Sequence, residues 1–446
     1  MGSFASCWLD NFEVLTTKNS VSSDLITLFR SENKIITSTI PIYFPCDRKY
    51  YQEIVNENND IKLIYYEAPI NTIRDRLNIL GYDLRNAYDG FSKWISETKH
   101  HAERRIGELE RNDFLFECYA NEIEVLSELT PEIWIEKLWL IRESDLKPRE
   151  YKSATERHVD KTIDYMLTKE WYGYPGYDLF IPIRLATEML DARSKLFYDI
   201  TQLVWSGYYD YNDDVIQSEI DFISLDFNSK FKTIILTEGK SDAWILRETM
   251  NILYPHLKDF YSFLDFESTG FGGGVGNLAN VVKAFAGAGI GNNVIALFDN
   301  DTAALSACRN FEKIDLPSNI VICHLPEINL LKEYPTIGPS GLINLDVNGI
   351  AASIELYLGE DILRIDGTNF SPIQWTGFDK FASQYQGEVI DKPQLHKRFR
   401  DKLNCTQNDE QGNWDDLKQI FDLLFGAFSE KNRSIICNRA SAYYYN

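Results

Sequence analysis

The sequence has few of the features that mark exported or membrane proteins. Its seven cysteines are scattered over 446 residues and form no C-x-x-C pair, which disfavours both a disulfide framework and a cysteine-type zinc site. No apolar run reaches the roughly 18 residues that a membrane-spanning helix needs, and no secretory signal is recognisable. We therefore expect a cytoplasmic protein without membrane contact.

An excess of positive charge is also missing. The chain has 45 Lys and Arg residues and 67 Asp and Glu residues, which gives a formal net charge of -22. This balance opposes broad attraction to phosphate backbones, so any nucleic-acid contact must use a local basic surface or metal ions. An ordinary solvated acidic surface explains the same excess. Low-complexity tracts are absent too, so the chain is predicted to fold nearly throughout, into two to four domains.

Hydrophobic patterning divides the chain into four parts. Residues 1–69 contain short β-rich runs and predict a small β module, while three- and four-residue spacing of apolar positions predicts helices over 70–229. Residues 230–358 alternate continuous apolar runs with helical patterns, as in a buried parallel sheet with crossover helices. Residues 359–446 predict a mixed, then helical, extension. In the third part, the predicted strands are 234–236, 261–264, 294–298 and 320–323, and the predicted helices are 242–254 and 277–286.

The stretch TEGKSD, residues 237–242, contains a G-K-S tripeptide like the end of a phosphate-binding loop. Such a loop needs a glycine five positions before the Gly-Lys pair, so that backbone amides can surround the phosphates. That position holds Ile234. The P-loop interpretation fails, and attention moves to the carboxylates on either side of the tripeptide.

Several acidic residues follow predicted strands. Glu238 comes two residues after the first strand, and Asp299 and Asp301 come after the third. Functional groups collect at the carboxyl ends of open parallel sheets, so these acids should meet at one edge. Asp242, four residues after Glu238, should share the face of the opening helix. Converging carboxylates need a counter-charge, and oxygen donors suit Mg²⁺ or Mn²⁺.

The pattern E-G-x-x-D at 238–242, followed by D-x-D at 299–301, resembles the TOPRIM domain of topoisomerases, bacterial primases and overcoming-lysogenisation-defect nucleases. The resemblance covers roughly residues 230–360. It implies a Rossmann-like α/β fold with a mainly parallel sheet. It also implies that Glu238 is a general acid or base, that Asp299 and Asp301 bind Mg²⁺, and that Asp242 is an auxiliary ligand.

Two later segments are similar to the nuclease branch of that family. Ser353-Ile354-Glu355-Leu356 is similar to its later acidic segment, which makes Glu355 a candidate further ligand, with Asp346 behind it. A solvated helix position is an equally weighted alternative for Glu355. Lys392, after Gln386-Gly387-Glu388-Val389, is similar in position to a lysine that this branch uses, and is taken as a candidate catalytic residue.

The beginning of the chain, residues 1–30, and the stretch 199–209 resemble the N-terminal domain of HEPN/Toprim-associated bacterial proteins, over most of the first 225 residues. The resemblance implies a helical HEPN-like domain and a role in defence against phage. HEPN ribonucleases use an Arg followed by a His after four to six intervening residues. None of the six histidines here has that spacing, so the region is expected to be a scaffold or recognition domain, unless His100 or His101 meets an Arg from another helix or subunit.

Weaker patterns offer nucleotide or nucleic-acid contacts. Residues 274–279 match G-x-G-x-x-A, a dinucleotide-binding pattern, but a tight strand-to-helix turn explains them better. Residues 392–402 are the densest basic run in the chain, and a solvated helix face is the alternative to phosphate binding. The candidate nucleic-acid contacts are Lys240, Lys397, Arg398 and Arg400.

Together these features predict a Mg²⁺- or Mn²⁺-dependent endonuclease that cleaves DNA or a structured RNA such as transfer RNA, in antiphage defence. Topoisomerase action is disfavoured because no tyrosine-bearing breakage domain or large basic channel is evident, and primase action because no zinc ribbon is present. The alternative is a non-catalytic sensor or scaffold subunit of a defence complex. The expected partners are nucleic acid, a phage trigger or a defence-system protein, and a second copy of the chain.

Overall fold

The computed structural model describes residues 2–42, 44–45, 51, 62–111, 114–146, 159–224, 232–264, 272–311, 314–365, 367–380, 382–406 and 412–433. The chain forms two compact units. The first unit contains residues 1–227 and 429–446, and the second unit contains residues 228–428. Within the described ranges, no helix is long and apolar enough to cross a membrane.

The first unit is built on a five-stranded antiparallel sheet with the spatial order β2-β1-β5-β4-β3. Its strands are β1 (Phe4–Leu9), β2 (Phe12–Lys18), β3 (Lys34–Thr37), β4 (Leu63–Pro69) and β5 (Lys195–Asp199). Its helices are α1 (Ser23–Ile26), α2 (Ile70–Ile79), α3 (Leu84–Ile106), α4 (Phe114–Glu128), α5 (Pro131–Glu143), α6 (Lys161–Thr168), α7 (Phe180–Ala186), α8 (Thr201–Trp205) and α9 (Val215–Ser224).

The structure joins the two modules that the sequence predicted for this region. The predicted boundary at 69/70 separates β4 from β5, although these strands are paired neighbours. One hydrophobic core also unites strand residues such as Leu9 with helix residues such as Trp94. The five-residue strand β5 pairs with β1, which lies almost 190 positions earlier in the chain. Local periodicity carries no information about so distant a partner.

The second unit contains the predicted parallel sheet. Its strands β6 (Thr233–Leu236), β7 (Tyr261–Phe263), β8 (Val294–Phe298) and β10 (Ile320–His324) have the spatial order β10-β8-β6-β7, and all three pairs are parallel. Helices α10 (Lys240–Leu253) and α11 (Val275–Ala288) form the crossovers. The prediction of an α/β sheet with crossover helices is confirmed. The strand order reverses between β6 and β8, which is where such sheets bind ligands.

A second, mixed sheet in this unit has the order β12-β11-β14-β15. The remaining strands are β9 (Asn300–Asp301), β11 (Tyr334–Gly338), β12 (Gly341–Leu345), β13 (Ala351–Ala352), β14 (Ile373–Asp379) and β15 (Gln384–Val389). The remaining helices are α12 (Thr302–Cys308), α13 (Glu360–Leu363), α14 (Lys392–Thr406) and α15 (Asp415–Gly426). The predicted boundary at 358/359 lies inside this unit, because β11 pairs with β14.

Residues 429–433, which the sequence placed in the C-terminal extension, belong to the first unit. The Ser429 hydroxyl donates a hydrogen bond to the Asp83 carboxylate at 2.7 Å. Arg433 forms an ion pair with Asp89 on α3. The first unit is therefore assembled from both ends of the chain.

Candidate metal centre

Two acidic side chains meet where neighbouring parallel strands end. Glu238 follows β6 by two residues, and Asp299 follows β8 directly. The two strands are paired in parallel, so their carboxyl ends lie at the same edge of the sheet. The backbone N–H of Asp299 donates a hydrogen bond of 3.0 Å to Oε1 of Glu238. The structure thus brings Glu238 and Asp299 together, as the strand pattern predicts.

The glycine-rich run that opens α11 packs against the main chain of Glu238. The N–H of Gly274, whose φ is +101°, donates a 2.6 Å hydrogen bond to the Glu238 carbonyl. A Cβ atom on Gly273 would lie 3.1 Å from that same oxygen. Glycine is required here for close approach of two backbones. Residues 265–271 lie outside the described residues.

Asp242 lies in the first turn of α10. Its Oδ2 accepts a 2.8 Å hydrogen bond from the Gly239 N–H, and its Oδ1 accepts one of 3.2 Å from the Ser241 hydroxyl. These bonds cap the helix, and a carboxylate is favoured at a helix N-terminus. Lys240, at the start of the helix, is exposed.

Asp301 is the N-cap of α12, since its Oδ1 accepts a 2.7 Å hydrogen bond from the Ala304 N–H. The two-residue strand β9, which contains Asp301, pairs antiparallel with β13. This pairing brings the segment that carries Glu355 to the site. On the other side, Nδ1 of His324, the last residue of β10, donates to the Asp299 carbonyl at 3.1 Å.

Glu355 lies in a short 3-10 segment, Ile354–Tyr357, and only 3% of it is exposed. The solvated alternative for this residue is therefore wrong. Its Oε1 lies 3.1 Å from Nε2 of His396, its Oε2 accepts a 2.6 Å hydrogen bond from the Ser353 hydroxyl, and Lys392 Nζ is 3.7 Å from Oε2. Burial alone would raise the pKa of Glu355. The His396 hydrogen bond, Lys392 and Ser353 outweigh it and lower that pKa to about 2.

The other four carboxyl groups have raised pKa values, and in each case burial is the largest cause. Burial and the charges of Asp301 and Asp242 raise the pKa of Glu238 to about 7, against the opposing Asp299 N–H. Burial and Glu355 raise the pKa of Asp242 to about 6. The pKa of Asp299 is raised well above its ordinary value by burial and by the four surrounding acids. The pKa of Asp301 is also raised.

Lys392, the first residue of α14, lies among these acids. Its burial lowers its pKa, but the carboxylates of Glu355, Glu388 and Asp299 outweigh that effect and raise the pKa above the ordinary value. It therefore stays charged and lowers the pKa values of Glu238, Asp242 and Asp301 in turn. One ammonium group cannot balance five acids, so the site remains short of positive charge.

The basic run on α14 divides by face. The Arg398 guanidinium donates to the backbone carbonyls of Ile362, Arg364 and Ile365 at the end of α13. Those three hydrogen bonds hold the Arg398 guanidinium against the end of α13. Lys397 is exposed, and the exposed Arg400 guanidinium lies 4.9 Å from the centroid of the Trp244 ring. Lys397 and Arg400, unlike Arg398, remain available to a ligand.

The donor chemistry fits a hard divalent cation, since all five acids offer oxygens and their repulsion would be relieved by positive charge. The side chains as they stand do not converge on one point. Over the described ranges, no group of three or more His, Cys, Asp or Glu residues is placed to hold a metal ion. Both oxygens of Glu355 and of Asp242 are engaged, as is one oxygen each of Glu238 and Asp301.

Three residues of this site were not predicted from the sequence. His324 occupies the same kind of strand-end position that identified Asp299, so that rule would have found it. His396 lies four residues after Lys392 and therefore on the same face of α14, which is a usable signal. Ser353 forms its bond only to a side chain two residues away, and nothing in the pattern marks it.

Two histidines of the first unit, His100 and His101, lie near the end of α3. His100 Nδ1 is 2.8 Å from the Ser96 carbonyl, and His101 Nδ1 is 3.3 Å from the Arg104 guanidinium. Arg104 follows His101 by three residues, whereas the ribonuclease motif places Arg before His. His158 lies outside the described residues.

Comparison with known proteins bears on the first half of the chain. Residues 1–222 match the family model described as HEPN/Toprim N-terminal domain 1. This match supports the predicted HEPN/Toprim association for that segment, which is just under half of the chain, and it associates the chain with nuclease-related or defence-associated proteins. Comparisons with curated proteins and with solved structures gave no match.

Proposed function

We propose that the second unit is a TOPRIM-type, metal-dependent nuclease that hydrolyses phosphodiester bonds of nucleic acid. The observation that carries the proposal is the grouping around Asp299. Four further carboxylates act on Asp299 and raise its pKa; they come from the loop after β6, from α10, from β9 and from the 3-10 segment Ile354–Tyr357. A structural site seldom collects five acids around one lysine at the switch point of a parallel sheet.

Each acid has a role in this proposal. Asp299 and Asp301 would hold Mg²⁺ or Mn²⁺, with Asp242 or Glu355 as a further ligand. The bound ion would supply charge stabilisation to the phosphate oxygens and to the attacking water.

Glu238 suits proton transfer because its pKa of about 7 makes both protonation states accessible near neutrality. In hydrolysis, the oxygen of water joins phosphorus, the bond from phosphorus to the leaving oxygen breaks, and that oxygen takes a proton. Glu238 would accept the proton of water or return one to the leaving oxygen. Lys392 would orient the phosphate and keep the acids ionised.

The test uses the purified full-length chain. Wild type should bind Mn²⁺ or Mg²⁺ in calorimetry and cleave at least one of four substrates: single-stranded DNA, duplex DNA, single-stranded RNA or transfer RNA. Asp299→Ala should lose metal binding and cleavage, and Glu238→Ala should lose cleavage while it keeps metal binding. The exposed acid Asp315 in the same unit provides the control, since Asp315→Ala should change neither. Absence of metal binding in wild type would refute the proposal whatever the substrate.

The second candidate is a non-catalytic sensor or scaffold in a defence complex. The observation that favours it is that no group of three or more candidate ligands among the described residues is placed to hold an ion. On this hypothesis the acids are residual. Phage resistance in cells would survive Asp299→Ala and Glu238→Ala, whereas the nuclease hypothesis requires both variants to lose it.

A further inference from the structure

Beside the acidic site, the hairpin of β14 and β15 exposes a cluster of aromatic rings. Phe378 and Tyr385 face each other in register, with ring centroids 5.1 Å apart. The ring of Trp375 is centred 5.8 Å from that of Tyr385. Phe378 is 52% exposed and Tyr385 is 59% exposed. Large apolar side chains are seldom left open to water together without a binding role.

A β-bulge puts these rings on the same face of the sheet. In a regular strand, Trp375 and Phe378 would point to opposite faces, because they are three positions apart. The register shifts between Trp375 and Gly377, which pair with Gly387 and Gln386 respectively. The extra residue returns Phe378 to the face that carries Trp375. Bulges that re-aim a side chain in this way are common next to functional sites.

The indole of Trp375 lies over glycines on both neighbouring strands. A Cβ on Gly338 of β11 would lie 2.9 Å from its Cδ1, and a Cβ on Gly387 of β15 would lie 3.0 Å from its Cε3. A side chain at Gly338 would displace the ring, and one at Gly387 would crowd both the ring and Ile373, whose Cγ2 would be 2.6 Å from the added Cβ. The two glycines therefore leave room for the indole against both neighbouring strands.

The same hairpin is hydrogen-bonded to the start of α12, directly after the D-x-D acids. The Thr302 hydroxyl donates a 2.9 Å hydrogen bond to the Tyr385 carbonyl, and Thr302 is the residue after Asp301. Ser306, also on α12, lies 3.4 Å from the Asp379 carboxylate. At its other end, β15 leads into Lys392 after three residues. The hairpin that carries the rings is therefore bonded to the residue after Asp301 and continues into Lys392, and both Asp301 and Lys392 are candidate site residues.

We propose that Trp375, Phe378 and Tyr385 form a stacking platform for unpaired bases of a single-stranded nucleic-acid segment. Exposed aromatic rings stack on bases without sequence preference, whereas the bases of a duplex are covered by their neighbours. The net charge of -22 opposes phosphate contacts. Stacking on bases provides affinity that does not depend on phosphate.

This inference rests on the proposed function for its location beside a cleavage site, but the binding step is measurable without cleavage. The experiment uses the full-length chain in EDTA and fluorescence anisotropy with labelled oligo-dT, oligo-rU and a mixed-sequence duplex. The variants are Tyr385→Leu and Phe378→Leu, which keep an apolar side chain and remove the ring. The control is Leu342→Ala, at another exposed apolar position of the same sheet, 66% exposed.

Wild type should bind the single strands more tightly than the duplex, and each ring removed should weaken single-strand binding about tenfold, with the control unchanged. Far-ultraviolet circular dichroism and thermal melts should show that the Leu variants remain folded. Unchanged single-strand binding in both Leu variants, no single-strand binding by wild type, or equal affinity for the duplex would each overturn the inference. If the rings instead bind a protein partner, the Leu variants lose that partner and keep their oligonucleotide affinity.

The outcomes also separate this inference from the nuclease proposal. Ring-dependent binding by a chain that neither binds metal nor cleaves would leave the platform standing and refute the nuclease. Metal-dependent cleavage that is insensitive to loss of both rings would leave the nuclease proposal standing and refute the platform.

Discussion

Glu238 links the stability of the second unit to pH. Its pKa is about 7 in the folded chain, against 4.5 for an ordinary glutamate, because of burial and of the acids Asp301 and Asp242, with Lys392 opposing. A carboxyl group with a raised folded pKa stabilises the fold fully below its unfolded pKa, and the contribution is lost as pH rises through the folded value. We therefore expect the metal-free protein to lose stability between about pH 4.5 and 7.

Thermal melts in EDTA from pH 5 to 8 measure this effect. Glu238→Gln should flatten the decline, since it removes one of the titrating groups, while Asp242, Asp299 and Asp301 keep part of it. Addition of Mn²⁺ at pH 8 should recover more stability in wild type than in Asp299→Ala. Melting curves of Glu238→Gln that run parallel to those of wild type at every pH would contradict the pKa assignment.

His396 holds a buried carboxylate in place. The Glu355 side chain is 4% exposed, and His396 provides one of its hydrogen bonds. Loss of a hydrogen bond to a buried charged group costs about 1–3 kcal/mol. We expect His396→Ala to lower the free energy of unfolding by that amount in urea denaturation at pH 7, and the adjacent exposed Lys397→Ala to change it little. Equal effects of the two substitutions would refute this role.

Arg398 and Arg400 lie two positions apart on α14 and have different roles. Arg398→Ala should destabilise the second unit by about 1–3 kcal/mol, because three backbone carbonyls at the end of α13 lose their donor. The exposed Arg400→Ala should stay within about 0.5 kcal/mol of wild type. Urea denaturation of both variants tests the difference. If Arg400→Ala were the more destabilising, the assignment of faces on α14 would be wrong.

Some elements could be predicted from the sequence because the residues that determine them lie within the element or next to it. All five residues of β8 are buried, and a continuous apolar run of that length between turn signals predicts a strand with both faces covered. The start of α5 also has a local signal, because Thr130 accepts a hydrogen bond from the Ile133 N–H and Pro131 occupies the first helical position. The edge shared by Glu238 and Asp299 followed from the parallel pattern alone.

Other features depend on partners that are remote in the sequence. The surroundings of Glu355 are set by His396, which is 41 positions away, and no local pattern predicts that contact. The platform depends on a bulge at Thr376 and on glycines of two other strands. Arg398 belongs to a basic run that suggests phosphate binding. Its hydrogen bonds to backbone carbonyls depend on the packing of α14 against α13, which the sequence pattern does not predict.

The two units should respond differently to loss of the chain's final segment. Residues 429–433 contact α3 through Ser429 and Arg433. A chain that stops at 428 should therefore have a less stable first unit and an unchanged second unit. Differential scanning calorimetry would show one transition shifted to lower temperature and the other retained. Movement of both transitions together, or of neither, would contradict the division at 228 and 429.

The return of the chain to the first unit also has a consequence for synthesis. A ribosome synthesises residues 228–428 before residues 429–433. All residues of the second unit are therefore present before the first unit has received its last segment. Domains usually mature in the order in which they emerge. In this protein, the contacts of Ser429 and Arg433 with Asp83 and Asp89 are the last to form, and the acidic centre can form on the nascent chain before the first unit is complete.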